Sequence, residues 1–273
     1  MFNKFFKNNI EIPTIKLYGV IGSGSKFKEG LNLSNLNKII EKAFSNKKTK
    51  AVALMINSPG GSPTQSSFIA DKIRSLANKK KIKVYAFVED VAASGGYWLA
   101  CVADEIYINE NSIVGSIGVI SPSFGFVQMI KKLGIERRVF TSGKSKSFMD
   151  PFKNLKSEDV KRLKEIQEEI HKNFILHVKK NRGKKIKSRD EEIFNGLFWV
   201  GNSSIKLGLA DGIGNIEEVM KKKFGQKTKI KIIEQRKSFL QKKLSSSISN
   251  KLINTSEILE DFEEKYYWSR FGL

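Results

Sequence analysis

Short apolar runs alternate along this chain with stretches in which apolar positions return every three or four residues, which is the pattern of strands alternating with amphipathic helices. Residues 14–20, 51–56 and 84–88 read as strands. The last two lack any polar interruption, as expected where a sheet is covered on both faces. Between them, residues 36–44 and 66–77 read as helices, the second with Phe68, Ile69, Ile73 and Leu76 at helical spacing. Further along, 97–102 predicts an apolar helix, 105–108 and 116–120 strands, 126–133 a helix and 136–140 a strand. Residues 157–180 predict one long helix with Ser157 as N-cap and Glu158 and Asp159 in its first turn. Beyond Gly225 the pattern predicts a strand over 228–234, a basic amphipathic helix over 236–246 and an acidic stretch over 257–264. Such alternation argues for an α/β protein with a parallel or mixed sheet. The expected organisation is an N-terminal extension (1–12), one main domain (13–225) and a C-terminal strand with a helical tail (226–273).

Candidate chemistry sits where strands give way to helices. In Val91-Ala92-Ala93-Ser94-Gly95-Gly96-Tyr97-Trp98 one serine stands among small residues at such a junction. There a hydroxyl is held clear of its neighbours and the first free helix N–H groups face whatever reacts. Ser94 is equally placed to be an N-cap, the commoner role of a serine before a helix. Upstream, Asn57-Ser58-Pro59-Gly60-Gly61-Ser62-Pro63 forms a second such junction, with Ser62 as N-cap, Pro63 at the first helical position and Gln65 closing a capping box. Each of these two junctions could give one amide to an oxyanion hole. The two histidines, His171 and His177, both fall on the long helix and read as face residues, which disfavours a Ser-His-Asp triad. A lysine serves as base if burial strips its charge. With 49 lysines and arginines, the residues alone do not say which one.

Four segments, Asn57-Ser58-Pro59-Gly60-Gly61, Ala92-Ala93-Ser94-Gly95-Gly96-Tyr97, Gly115-Ser116-Ile117-Gly118-Val119-Ile120 and Ser142-Gly143-Lys144-Ser145-Lys146-Ser147, resemble those of the signal peptide peptidase A family. A fifth, from Phe198-Trp199-Val200-Gly201 to Gly208-Leu209-Ala210-Asp211-Gly212-Ile213-Gly214, resembles the segment that closes that family's domain. The resemblance implies a crotonase/Clp-protease-like fold, a superhelical spiral of repeated ββα units with outer helices. It also implies a serine endopeptidase working through a Ser-Lys dyad on signal-peptide remnants or other small or unfolded peptides. Carried over by position, Ser94 is the nucleophile and Lys146 the general base, with Lys144 the competing lysine. Gly61 matches the family's oxyanion amide, Gly95 is the natural second donor, and Ser116 matches a hydroxyl that orients the lysine. Phe140, Phe148 or Met149 would wall the amine. The resemblance further implies a homo-oligomeric ring in which one subunit's lysine completes its neighbour's site. Two other function classes stay open: a crotonase-type enzyme acting on acyl-CoA, and an inactive peptide-binding scaffold.

Composition narrows this further. With 273 residues, 40% hydrophobic and 28% charged, the chain can bury one sizeable core. It carries no P-loop, HExxH or CxxC pattern, so no metal and no cofactor are expected. The one cysteine, Cys101, excludes an internal disulfide and fits a reducing compartment. The net charge of +21 gathers in lysine-rich runs at 179–189 and 221–243. These read as a solvated surface, or as peripheral contact with an anionic membrane. Nucleic acid is not expected, since no nucleic-acid module is recognisable. Residues 1–12 hold no apolar run near the ~20 residues of a membrane span. The expected setting is therefore the bacterial cytoplasm, peripheral at most to the inner membrane.

Overall fold

A computed structural model describes residues 10–22, 30–234 and 265–273. In chain order its elements are β1 (Glu11–Tyr18), α1 (Leu33–Ala43), β2 (Ala51–Ser58), α2 (Pro63–Lys80), β3 (Lys83–Ala93), α3 (Gly95–Ala100), β4 (Glu105–Ile108), β5 (Ile113–Gly115), α4 (Val127–Lys132), α5 (Ser157–Arg182), α6 (Asp190–Ile193), β6 (Phe198–Val200), α7 (Gly201–Leu207), β7 (Gly212–Ile213), α8 (Ile216–Phe224) and β8 (Lys229–Ile232). The main sheet runs β6-β5-β3-β2-β1-β8, with β4 beside β3 and β7 beside β4. All pairings are parallel except β5 with β6.

Strand β3 organises the molecule. One edge lies on β2, from Ala51↔Lys83 to Ser58↔Ala92. Its other edge is shared, first by β4 over Tyr85–Val88 and then by β5 over Val91–Ala93. This fork leaves the end of β3, where Ser94 follows, held between β2 and β5. The apolar runs of β2 and β3 are buried because helices cover both faces. On one side Ile56, Ile69, Ile73, Tyr97 and Leu99 belong to the main core; on the other, Ala53, Tyr85 and Phe87 pack with Val219 and Met220 of α8.

Helix α5 lies outside the sheet and touches it by one stripe, burying Phe174 and Val178 against α3. Its last residue, Arg182, is fully buried; the guanidinium donates to Asp211 (2.6 Å) and to the Gly208 carbonyl (2.6 Å). Burial alone would raise the Asp211 carboxyl, but bonds from Arg182, Lys185 and the Ile106 amide hold it below its usual range.

Several local expectations are corrected. Strand β1 occupies 11–18, not 14–20, and pairs with β8 from Glu11. The strand expected over 116–120 is absent, because Gly115 (φ 110°) and Ser116 (φ 52°) turn the chain out of the sheet in succession. Residues 136–140 form no strand: they lie on a projecting lobe, 119–156, where no described strand runs beside them. Ser157 is the first helical residue, and Lys156 holds the cap position without a side-chain cap. The helix expected over 236–246 and the acidic stretch over 257–264 lie outside the described residues.

Candidate active site

Ser94 joins β3 to α3 in a conformation few L-residues adopt, φ 51° and ψ −120°. Strain of this kind costs about 1–3 kcal/mol and persists only where its surroundings hold it. Here the Ser94 N–H donates to the Gly115 carbonyl (2.8 Å) and the Ser94 carbonyl accepts from the Trp98 N–H (3.0 Å). The pairs Ser58↔Ala92 and Ala93↔Gly115 clamp the strand on both sides. The Ser94 side chain makes no cap to α3, so its hydroxyl is left free for a ligand.

Two amides lie beside that hydroxyl. The Ile21–Gly61 bridge uses the Gly60 carbonyl and the Ser62 N–H. The Gly61 N–H is thereby left without a partner among the described residues. Gly95 opens α3, so its N–H likewise has no intrahelical acceptor. The Gly61 nitrogen lies 3.4 Å from where a Gly95 side chain would begin. Glycine is required at Gly61, where a Cβ (φ 137°) would come 2.1 Å from the Ile21 carbonyl oxygen; one on Gly95 would come 2.5 Å from Ser66 Oγ, which would have to turn away.

Ser94, Gly61 and Gly95 share one cleft of about 170 Å³. Its walls are largely apolar: Pro59, Pro63, Trp98 and Val119–Ile120, with Ile170 and Phe174 from α5. Preorganised donors beside a nucleophile in such surroundings suit a reaction that builds negative charge on an oxygen.

The remaining sequence candidates lie elsewhere in the single chain. Lys146 and Lys144 are exposed on a turn of the projecting lobe, and neither lines the cleft. Ser116 is buried beside Gly115, where its N–H donates to the Leu197 carbonyl (2.7 Å), also outside the cleft. Of the residues expected to wall the amine, Phe140 is 93% exposed and Phe148 and Met149 are half-buried.

Both histidines brace α5 against the site layer. His171 Nε2 meets the Ile117 carbonyl (3.1 Å). His177 stacks on Trp98 with centroids 4.5 Å apart and bonds the Trp98 carbonyl (3.0 Å). Burial pulls the His177 pKa down to about 4, against the opposing pull of that carbonyl. Cys101 is buried and its thiol is pushed up to about 12 by desolvation, so it is packing and not a nucleophile. Sequence reasoning missed Tyr267 and Arg270, which line the cleft from the far end of the chain. Trp98 was within reach, since four helical residues after Ser94 bring a side chain back to the same face.

A family model described as "Peptidase family S49" matches residues 76–230, which include Ser94, Ser116 and Lys146. The chain belongs to peptidase family S49. A second model, "NfeD1b, N-terminal domain", matches residues 21–126. Among curated relatives, a Brucella abortus protein named "Na(+)/H(+) antiporter NhaA" is 44% identical over 96% of this chain and 37% of its own length. "Protease 4" of Haemophilus influenzae is 28% identical over 78% of this chain and 34% of its own length. The chain thus spans little more than a third of either relative. Among solved structures, a membrane-bound stomatin-specific protease, 1510-N, superposes with a TM-score of 0.52 at 16% identity, covering 84% of this chain and 99% of that one. That likeness and the forked α/β sheet give the S49 chain the ClpP/crotonase-like fold expected of it. Among the described residues no helix is long and apolar enough to cross a membrane.

Proposed function

We propose that this chain hydrolyses peptide bonds as a serine endopeptidase, with Ser94 as nucleophile, the Gly61 and Gly95 amides as oxyanion hole, and Lys146 of a neighbouring copy as general base. The observation that carries the reading is the strained, uncapped Ser94 beside two unpartnered amides in an apolar cleft. Attack of Ser94 Oγ on a peptide carbonyl forms the C–O bond as the hydroxyl proton passes to a neutral lysine amine. The developing oxyanion is held by the two amides. Collapse breaks the C–N bond and the lysine returns its proton to the leaving amine; water then repeats the sequence on the acyl-enzyme.

Among the described residues that line the cleft there is no histidine, lysine or carboxylate to act as base. The lobe that carries Lys146 presents Phe140 and Phe124, 93% and 79% exposed, as a second copy of the chain would bury them. Seated over a neighbour's cleft, the lysine would leave water and so favour its uncharged form. Ser116 would orient that amine once the copies assemble. The proposed substrates are signal-peptide remnants or other small, unfolded peptides, met in the cytoplasm or at the face of an anionic membrane.

The acyl-CoA alternative, which would call for carboxylates in the pocket, is disfavoured by a cleft whose described lining residues include none. A fluorophosphonate probe tests the main reading: the account expects one adduct, on Ser94, and loss of both adduct and peptide cleavage in Ser94→Ala. Cleavage that persists in Ser94→Ala would overturn it, and a folded wild type that neither labels nor cleaves would leave the scaffold reading in its place.

A further inference from the structure

Among its described lining residues the cleft around Ser94 carries one formal charge, a positive one. That charge is Arg270, brought there by residues 265–273, which return from the far end of the sequence as a short helical turn. Phe271 anchors the turn. It is buried with Val91 and Ala93 on the strand that delivers Ser94, and its ring meets Phe198 at 5.2 Å. Tyr267 and Arg270 stand three residues apart on one face of the turn, and both line the cleft. Among the described residues the guanidinium has no carboxylate partner and the Tyr267 phenol no hydrogen bond, whereas the described arginines Arg74, Arg137, Arg138, Arg162 and Arg182 each pair with a carboxylate. An unpaired guanidinium with a phenol beside it, both lining a half-enclosed cleft, is complementary to an anionic ligand.

We infer that Arg270, supported by Tyr267, is a specificity-determining residue that binds a carboxylate of the peptide lying in the Ser94 cleft. This rests on the peptidase reading above. The carboxylate comes from an acidic side chain near the cut or from the peptide's free C-terminus, and both present the same planar pair of oxygens to the guanidinium fork.

The test uses the full chain and quenched fluorescent peptides in matched pairs. In one set Glu replaces Gln at successive positions around the cut; in the other a free C-terminus replaces an amide. The expected result is a kcat/KM about tenfold higher for the carboxylate member of one pair, the size of one charge-assisted hydrogen bond. The set showing the preference names its source. Arg270→Gln should bring that ratio close to one, and Arg270→Lys should keep part of it. Should Arg270→Gln fail to fold, Arg270→Lys and the decline of the wild-type ratio with added salt carry the same comparison. A wild-type ratio near one in both sets, or an unchanged ratio in Arg270→Gln, would overturn the inference. Binding of the same peptides to Ser94→Ala, read by anisotropy, separates the two readings. A carboxylate preference in binding that depends on Arg270, with no cleavage by wild type, sinks the peptidase reading alone. Cleavage without carboxylate preference sinks only the assignment to Arg270.

Discussion

Ser94 is held in its unusual backbone state by contacts that admit no extra atom nearby. Replacing Gly61 with alanine brings a Cβ within 2.1 Å of the Ile21 carbonyl oxygen at a φ of 137°, so the backbone carrying one proposed oxyanion donor must shift. The expected outcome is a fall of about two to three powers of ten in peptide turnover. Stability should fall by only about 1–3 kcal/mol, so melting curves and probe-labelling rates separate the two effects. At this scale the sequence was readable because small residues leave few alternatives: Gly60, Gly61, Gly95 and Gly96 mark where backbones approach closely. The free state of the Ser94 hydroxyl was not readable, since a serine before a helix is by default a cap and only the ψ of −120° removes it from that role. Arg270 left no trace either, because nothing local ties residue 270 to residue 94.

Helix α5 is fixed to the site layer by His177 and by Arg182, and each gives a measurable consequence. The buried imidazole of His177 stays neutral, with a pKa down to about 4 from the ordinary 6.5. An unfolded chain therefore takes up a proton between those values that the folded one refuses. Stability is complete above pH 6.5 and is lost as pH falls toward 4, by roughly 3 kcal/mol from this group. Urea unfolding at pH 7 and pH 4.5 should show that slope in wild type and a flatter one in His177→Phe. At the other end, Arg182→Met takes one of three partners from Asp211, which keeps Lys185 and the Ile106 amide, and leaves the Gly208 carbonyl without its donor. An unsatisfied buried acceptor typically costs about 1–3 kcal/mol, which an early urea midpoint would register. The elements themselves were largely legible, since continuous apolar runs gave β2 and β3 and helical periodicity gave α2 and α5. What periodicity could not supply was pairing. Residues 136–140 have strand-like side chains and no neighbour, while β1 reaches back to Glu11 because β8 lies beside it.

For the molecule as a whole, the single chain brings the proposed nucleophile and the two proposed oxyanion donors into one cleft, but its candidate base stands exposed on the projecting lobe. The family motifs named the lysine; they could not show that one chain leaves it apart from the serine, because that separation is a property of tertiary layout. The lysine-rich runs also change meaning once folded. Lys179, Arg182, Lys185, Lys221, Lys223 and Lys231 each face a carboxylate, so part of the charge read as a patch is spent inside the subunit. The most direct test of the account mixes two inactive variants, Ser94→Ala and Lys146→Met, after dissociating and reassembling them together. If neighbours share sites, each variant alone is inactive and the mixture recovers activity, with about one site in four holding an intact serine and an intact lysine under random closed assembly. A mixture as inactive as its components, from proteins shown to exchange subunits, would contradict the proposal that Lys146 reaches Ser94 across an interface.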